Sequence, residues 1–531
     1  MLSSARHAAR SGATCRRLRD AAAAAAHAEG GLLSLESARL AAVPALPLAL
    51  VFAYHVAVFL SVSLGRMSYP FELEFMEGLS VDYAQVLLRG EDLYGPASAS
   101  FAPLFYPPLH YVVALPALLL GGWSLAAARL VSWFCIVACL LAVCISLRRL
   151  GGSAACVLVS VAVALALYPA SLYWYDLARV DSLQTSLQVG GLLWLATRGL
   201  SPRRGPLLLG AVFLAAAVFT KQTALAGCLS GVAWFGLQRD WRRALQLLVA
   251  LSGLGLIGCA ALLAAYGPDC FQVLAMPTRH AVSLAQGWRN AAPLLAPMAP
   301  LVALALIGAR DRRARPLRFF LLHFGVALVM GLLAMCKHGG QANSLLPAFV
   351  LLGACTGLGW DAVVARLPAG SRLAPAALAT VLGALLFLPF RSDYADWIPS
   401  AADRADAEAI LQDMRAVPGP FLAYNHSFVS TVLRGESYPS WHALWDWAGG
   451  EDAGADGPDP GRYPPGFLDA VRARRFAAIY TNGSDYFGDP VYRLVKEHYH
   501  VVRIWPPRRR GGMQRWMFCL PRVKWQPVAT P

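Results

Sequence analysis

The stretch from residue 71 to 110, FELEFMEGLSVDYAQVLLRGEDLYGPASASFAPLFYPPLH, sets six carboxylates (Glu72, Glu74, Glu77, Asp82, Glu91 and Asp92) in a chain that is otherwise mostly hydrocarbon. Glu77 opens an amphipathic run in which Leu79, Tyr83, Val86 and Leu87 follow one helical face. A carboxylate there can face a hydroxyl nucleophile and take its proton. The helix dipole alone also favours an acid at a helix start. Glu74, three residues earlier, comes close to Glu77 if the segment is helical. Two such carboxylates can hold a divalent metal, or one can raise the proton affinity of the other.

Other polar residues could complete a site. In Thr220-Lys221-Gln222-Thr223, a lysine between two short apolar runs can bind a phosphate and stabilise it as a leaving group. It can also snorkel and cap a helix C-terminus. Arg179 and Asp181, in YDLARVDSL, either face the same cavity as Glu77 or form an ordinary ion pair with Asp181 as an N-cap. Lys337, His338 and Asn343, in KHGGQAN, offer phosphate or sugar contacts; one His with no second ligand at fixed spacing makes no metal site. Tyr106 and His110, in FYPPLHY, border either a groove for a polyprenyl chain or a proline-opened helix with an aromatic membrane anchor.

The elements that must position these residues are membrane helices. Of 531 residues, 57% are hydrophobic and only 15% charged, in repeated apolar runs of about 20 residues. The net charge of +15 lies in short arginine clusters between those runs, as topology selection produces. No basic domain with interleaved aromatics appears, which excludes a nucleic-acid role. The eleven cysteines contain no paired CxxC motifs and imply neither a zinc site nor a disulfide framework.

Threading hydropathy and arginines together predicts a basic tail over 1–40, read as a disordered cytoplasmic segment in preference to a presequence. An α-helical polytopic domain of about eleven crossings follows over 41–390, with a first outer loop at 65–123. Residues 391–531 form a small extramembrane α/β domain. The crossings are expected at 41–64, 124–147, 154–172, 182–197, two within 206–237, then 244–266, 291–309, 317–335, 344–364 and 373–390. Residues 107–121 read as a partly inserted helix. With the arginine clusters inside, Glu74, Glu77, Arg179, Asp181, Lys221, Arg279, His280, Arg289, Lys337 and His338 all fall on one outer face. In the last region, strands are expected at Phe421–Tyr424, Ala477–Thr481, Val501–Trp505 and Trp516–Leu520. Trp441, Trp445 and Trp447, with the Gly/Asp/Pro-rich 449–465, read as a surface loop.

EFMEGLSVDYAQVLLRGEDLY, YPPLHY, AARLVSW, RVDSL, FTKQTA and KHGGQANSLLP, in that order, resemble the GT-C class of membrane glycosyltransferases. The nearest group is the family 39-like one, which includes protein mannosyltransferases and lipid A aminoarabinose transferases. The resemblance covers about residues 45–365. It implies a polyprenyl-phosphate-linked sugar donor, inversion at the anomeric carbon and an acidic base in the first outer loop. Glu77 matches the second position of the family's Asp-Glu pair, while Met76 occupies the first, so the base would be Glu77 or the shifted Glu74. Lys221 matches the lysine implied to contact donor phosphate. Phe105-Tyr106 stand where aminoarabinose transferases carry a Glu-Lys pair.

The expectation is therefore a multi-pass enzyme of the plasma or inner membrane with an extracytoplasmic active site. It would move a sugar to a hydroxyl of a glycan, lipid or protein, with Glu77 or Glu74 as base. Lys221, Arg179 and Lys337 would hold donor phosphate, with a divalent metal as an optional cofactor. The rival is a transporter or flippase for a lipid-linked or anionic substrate, which would show inverted repeats and interrupted midplane helices. No internal repeat is visible in the sequence.

Overall fold

The structure is a computed structural model that describes residues 46–198, 204–311, 314–368, 371, 373–391, 393–449, 458–464, 466–483, 488–505 and 520–528. The basic tail lies outside the described residues, as do 450–457 and all but Leu520 of the strand expected at Trp516–Leu520.

Apolar runs become helices whose starts are set by short polar side chains. The first are α1 (Leu46–Met67), α2 (Glu77–Leu88), α3 (Leu109–Gly121), α4 (Leu125–Arg149) and α5 (Ala154–Ala166). Then come α6 (Val180–Thr197), α7 (Arg204–Val218), α8 (Leu225–Leu237), α9 (Trp241–Tyr266) and the short α10 (Asp269–Leu274). The bundle closes with α11 (Leu284–Ala309), α12 (Arg315–Met335), α13 (Leu346–Val364) and α14 (Leu373–Phe387). Ser124, Ser153, Asp240 and Ser283 accept hydrogen bonds from backbone N–H groups that open α4, α5, α9 and α11.

Among the described residues, seven helical segments are long and apolar enough to cross a membrane: α1, α4, α5 extended to Ser171, α9, α11, α12, and α13 from Ala342. This is an integral membrane protein. The other four expected crossings correspond to the shorter apolar α7, α8 and α14 and to α6. In α6, Asp181, Gln184, Thr185 and Gln188 lower the hydropathy, and all four are buried in the bundle. At the centre of the bundle 72% of the α13 span is buried, against 11% for the peripheral α9. Gly353 and Gly357 allow that central position, since a Cβ at either would strike Ser160 or Cys156 of α5.

The two ends of the bundle differ in chemistry. At the arginine end, Ser153 donates to Asp361 from its N–H (2.7 Å) and hydroxyl (2.5 Å), and Arg366 donates to the Ile307 carbonyl. At the other end the polar loops touch one another. Gln222 Nε2 donates to the carbonyls of Phe105 and Leu274, and Leu109 N–H to that of Phe219.

The C-terminal region is the expected small α/β unit: α15 (Ala401–Arg415), β1 (Phe421–Ala423), α16 (Ser427–Arg434), α17 (Trp441–Trp447), α18 (Phe467–Arg472), β2 (Ala478–Thr481), α19 (Pro490–His498), β3 (Tyr499–Ile504) and β4 (Val523–Pro527). The sheet order is β1-β2-β4-β3, with β1 and β2 parallel and β4 antiparallel to both neighbours. A further strand, not expected from the sequence, forms at Val523–Pro527, with its proline at the last position, where a missing N–H costs least. One expectation is corrected. The tryptophan segment, expected as loop, is the helix α17, with Trp445 buried and Trp441 packed beside it (5.9 Å between rings).

Candidate active site

Of the six acids, Glu72, Glu74, Glu77 and Asp82 are buried, and each needs a partner as it leaves water. Glu77, fully buried, accepts four hydrogen bonds. Arg129 Nε and Ala178 N–H reach Oε1 (2.9 and 2.8 Å), while Arg129 Nη2 and Leu73 N–H reach Oε2 (both 2.7 Å). Arg129 also donates to the carbonyls of Arg66, Tyr69 and Phe71, so one guanidinium ties α4 to the end of α1 and to the first loop. Burial pushes the Glu77 carboxyl up, but the Arg129 charge and hydrogen bonds outweigh it and hold the acid below the ordinary carboxylate range. A second sealed pair, Arg66–Asp176 (2.6 Å), anchors α1 to the loop before α6.

Glu72 and Asp82 point the other way, to the C-terminal domain. Glu72 Oε1 accepts from Gly78 N–H (2.8 Å) and Oε2 bonds His426 Nδ1. Asp82 accepts from the Ser427 hydroxyl (2.8 Å). Gly78 is needed here, because a Cβ would run into the Glu72 carboxylate and the Phe428 ring. The first loop is thus held between the bundle and α16.

Glu74 has a different environment. Its Oε2 accepts from Arg179 Nη1 and from Met76 N–H (3.2 Å); Oε1 takes no hydrogen bond among the described residues. Burial raises the Glu74 carboxyl above its ordinary range, although Arg179 opposes the shift. Arg179 Nη2 donates to the Tyr106 hydroxyl (3.3 Å), and its Nε lies 3.8 Å from Asp181 Oδ2. Asp181 Oδ1 accepts from Lys221 Nζ (2.6 Å) and Asn343 Nδ2 (3.1 Å). The result is a buried chain, Glu74–Arg179–Asp181–Lys221, drawn from three separate segments. A space of only about 10 Å³, lined in part by Met76, Ser80, Tyr106 and Arg179, adjoins it. That holds about one water, so a substrate must part side chains to enter.

No protein-family model matches the chain, and no curated protein matches it in sequence. Solved structures do resemble it. ArnT from Cupriavidus metallidurans bound to undecaprenyl phosphate gives a TM-score of 0.57 at 15% identity, covering 90% of this chain and 98% of that one. Apo ArnT gives 0.56 at 16%, covering 90% and 99%. The chain has the GT-C fold. A more distant resemblance is to the oligosaccharyltransferase AglB from Archaeoglobus fulgidus (TM-score 0.47, 11% identity, 85% and 73% covered).

In this GT-C fold the other expected residues divide. Tyr106 and Asn343 join the buried chain. His110 stands behind it, its Nε2 3.1 Å from the Ser80 hydroxyl. Lys337 does not join it by any hydrogen bond or ion pair: Nζ donates to the Pro277 carbonyl (2.8 Å), and the backbone of His338 pairs with Ala281, fastening this loop to the segment after α10. Asp181 is not the N-cap of α6. Arg179 holds that position and Asp181 lies one residue inside the first turn, where its carboxylate turns to Lys221. Among the described residues no three His, Cys, Asp or Glu side chains cluster as a metal-binding group.

Arg129, Arg66 and His426 were not singled out by the sequence reading, and Glu72 was named only as one of the six acids. Arg129 had a usable signal: a lone arginine inside LAAARLVSW, at the end of its helix away from the arginine clusters. His426 had none, because its partner lies 354 residues away in sequence.

Proposed function

We propose that this protein is a membrane glycosyltransferase that moves a sugar from a polyprenyl-phosphate donor to an acceptor hydroxyl at the extracytoplasmic face, with inversion, using Glu74 as base. The observation that carries this reading is the contrast between two acids. Glu77 has no lone pair left for a substrate proton, whereas Glu74 has an uncommitted oxygen, a raised proton affinity and a guanidinium on its other oxygen. The ArnT structure that shares this fold holds undecaprenyl phosphate, which supports a lipid phosphate as the donor carrier.

The charges make the step coherent. At rest Arg179 and Lys221 balance Glu74 and Asp181. The acceptor hydroxyl gives its proton to Glu74 Oε1, its oxygen bonds the anomeric carbon, and the carbon–oxygen bond to phosphate breaks. The phosphodiester carried one negative charge; the departing polyprenyl phosphate gains a second. Neutralising Glu74 in the same step releases Arg179 from its counter-ion, so positive charge becomes available as the leaving group needs it. Lys221 and Arg179 hold the phosphate, Asp181 and Asn343 position Lys221, and Tyr106 positions Arg179.

The test is to supply purified protein with radiolabelled polyprenyl-phosphate pentoses and hexoses. Release of polyprenyl phosphate from one of them, lost in Glu74→Gln, is the expected result. Intact donor carried across a vesicle bilayer without cleavage would establish the flippase reading instead.

A further inference from the structure

A cavity of about 580 Å³ lies where the first loop, the α10 segment and the C-terminal domain meet. It is far larger than the space at Arg179 and falls within the range of pockets that enclose an organic ligand. Part of the lining is aromatic and apolar, from Tyr94, Trp447, Val273 and Met276. Its polar lining is balanced, with Asp269 and Asp446 set against Arg279 and Arg462.

Position links this cavity to the buried chain. His280, in its wall, packs edge-on against Phe105 (5.8 Å), which packs on Tyr106 (4.7 Å), the partner of Arg179. Asp446 lies 3.6 Å from His442, whose ring packs on Phe75 (4.9 Å), the residue after Glu74. Two short runs of packed rings, His280–Phe105–Tyr106 and His442–Phe75, thus join the cavity wall to the surroundings of Glu74.

We infer that this cavity binds the sugar acceptor as a neutral oligosaccharide, an assignment that rests on the transfer reaction proposed above. A phosphate or polyanion would meet as many carboxylates as guanidiniums. A polyhydroxylated ring uses both, because its hydroxyls donate to Asp269 and Asp446 and accept from Arg279 and Arg462. The C–H faces of sugar rings pack on aromatic faces such as Tyr94 and Trp447. The cavity exceeds the volume of one sugar ring, which favours an acceptor of several residues. Because the C-terminal domain supplies Asp446, Trp447 and Arg462, it acts as the acceptor-side wall.

The experiment uses the full chain in nanodiscs without donor, with binding of neutral gluco-, manno- and galacto-trisaccharides read by saturation-transfer NMR and calorimetry. Wild type should bind at least one. Asp269→Asn, at an exposed position that folding tolerates, and Trp447→Ala should each weaken that binding about tenfold, the loss of one charged hydrogen bond or one stacking face. If no trisaccharide binds, if both variants bind as wild type does, or if a Ser/Thr peptide is the ligand that both variants weaken, the assignment falls. The failures separate cleanly. A protein that binds trisaccharide but never releases polyprenyl phosphate overturns the proposed reaction, and one that cleaves donor yet binds no saccharide overturns only this site.

Discussion

Glu77 and Glu74 stand three residues apart on one loop and have opposite surroundings. Around Glu77 the protein is finished: four donors fill two oxygens, and Arg129 spends its remaining N–H groups on backbone carbonyls. Around Glu74 it is unfinished, with one oxygen engaged and the other open beside a chain of alternating charges. The comparison teaches that an acid's nearness to a site does not make it a base. A carboxylate saturated with donors is a strut with a depressed proton affinity; one that is buried and under-supplied can take a proton.

The sharpest test of that difference is kinetic. Glu74→Gln should lower transfer about 10²–10⁴-fold while membrane insertion stays as in wild type and stability falls less than in Glu77→Ala, because Gln can still accept from Arg179 and Asp181 remains beside that arginine. Should Glu77→Gln produce that rate loss with an unchanged melting temperature, the two acids would have to exchange roles. Glu77→Ala, by contrast, strands the Arg129 guanidinium in a dry interior, at a cost of about 3–5 kcal/mol. It should appear as a lowered Tm or a lost folded fraction in detergent.

Lys221→Met removes the proposed phosphate contact and one of the three partners of Asp181. It should raise the KM for the lipid donor about tenfold or more, with a smaller change in stability. The smallest effect concerns the docking of the loop onto α16. Burial raises the Asp82 carboxyl from 3.8 to about 7, against the Ser427 hydrogen bond that lowers it. The folded state therefore holds a proton that the unfolded state has released. That stabilisation is complete below about pH 4 and is lost as pH rises through about 7. Asp82→Asn should flatten this slope, a difference of about a few degrees in Tm between pH 5 and 8.

Helix boundaries were legible because they depend on local chemistry. The span expected at 124–147 is Leu125–Arg149, and the break at Thr220-Lys221-Gln222 separates α7 from α8 as expected. Helix α17 was misread as loop, because a run of tryptophans next to a Gly/Asp/Pro-rich stretch gave a loop signal that tertiary packing overrode, and strand β4 was not foreseen. Lys221 and Asp181 were rightly grouped on one face, but their direct contact, and the diversion of Lys337 to Pro277, could not be inferred from spacing.

The amino-acid order alone determined that this chain is a membrane bundle with its dense arginine clusters at one end and the acidic first loop at the other, because hydropathy and charge act residue by residue against lipid and water. Which acid is satisfied and which is open was decided only by the fold. Arg129 reaches Glu77 across 52 positions and Arg179 reaches Glu74 across 105, and a carboxylate's proton affinity depends on the donors that the folded chain brings to it.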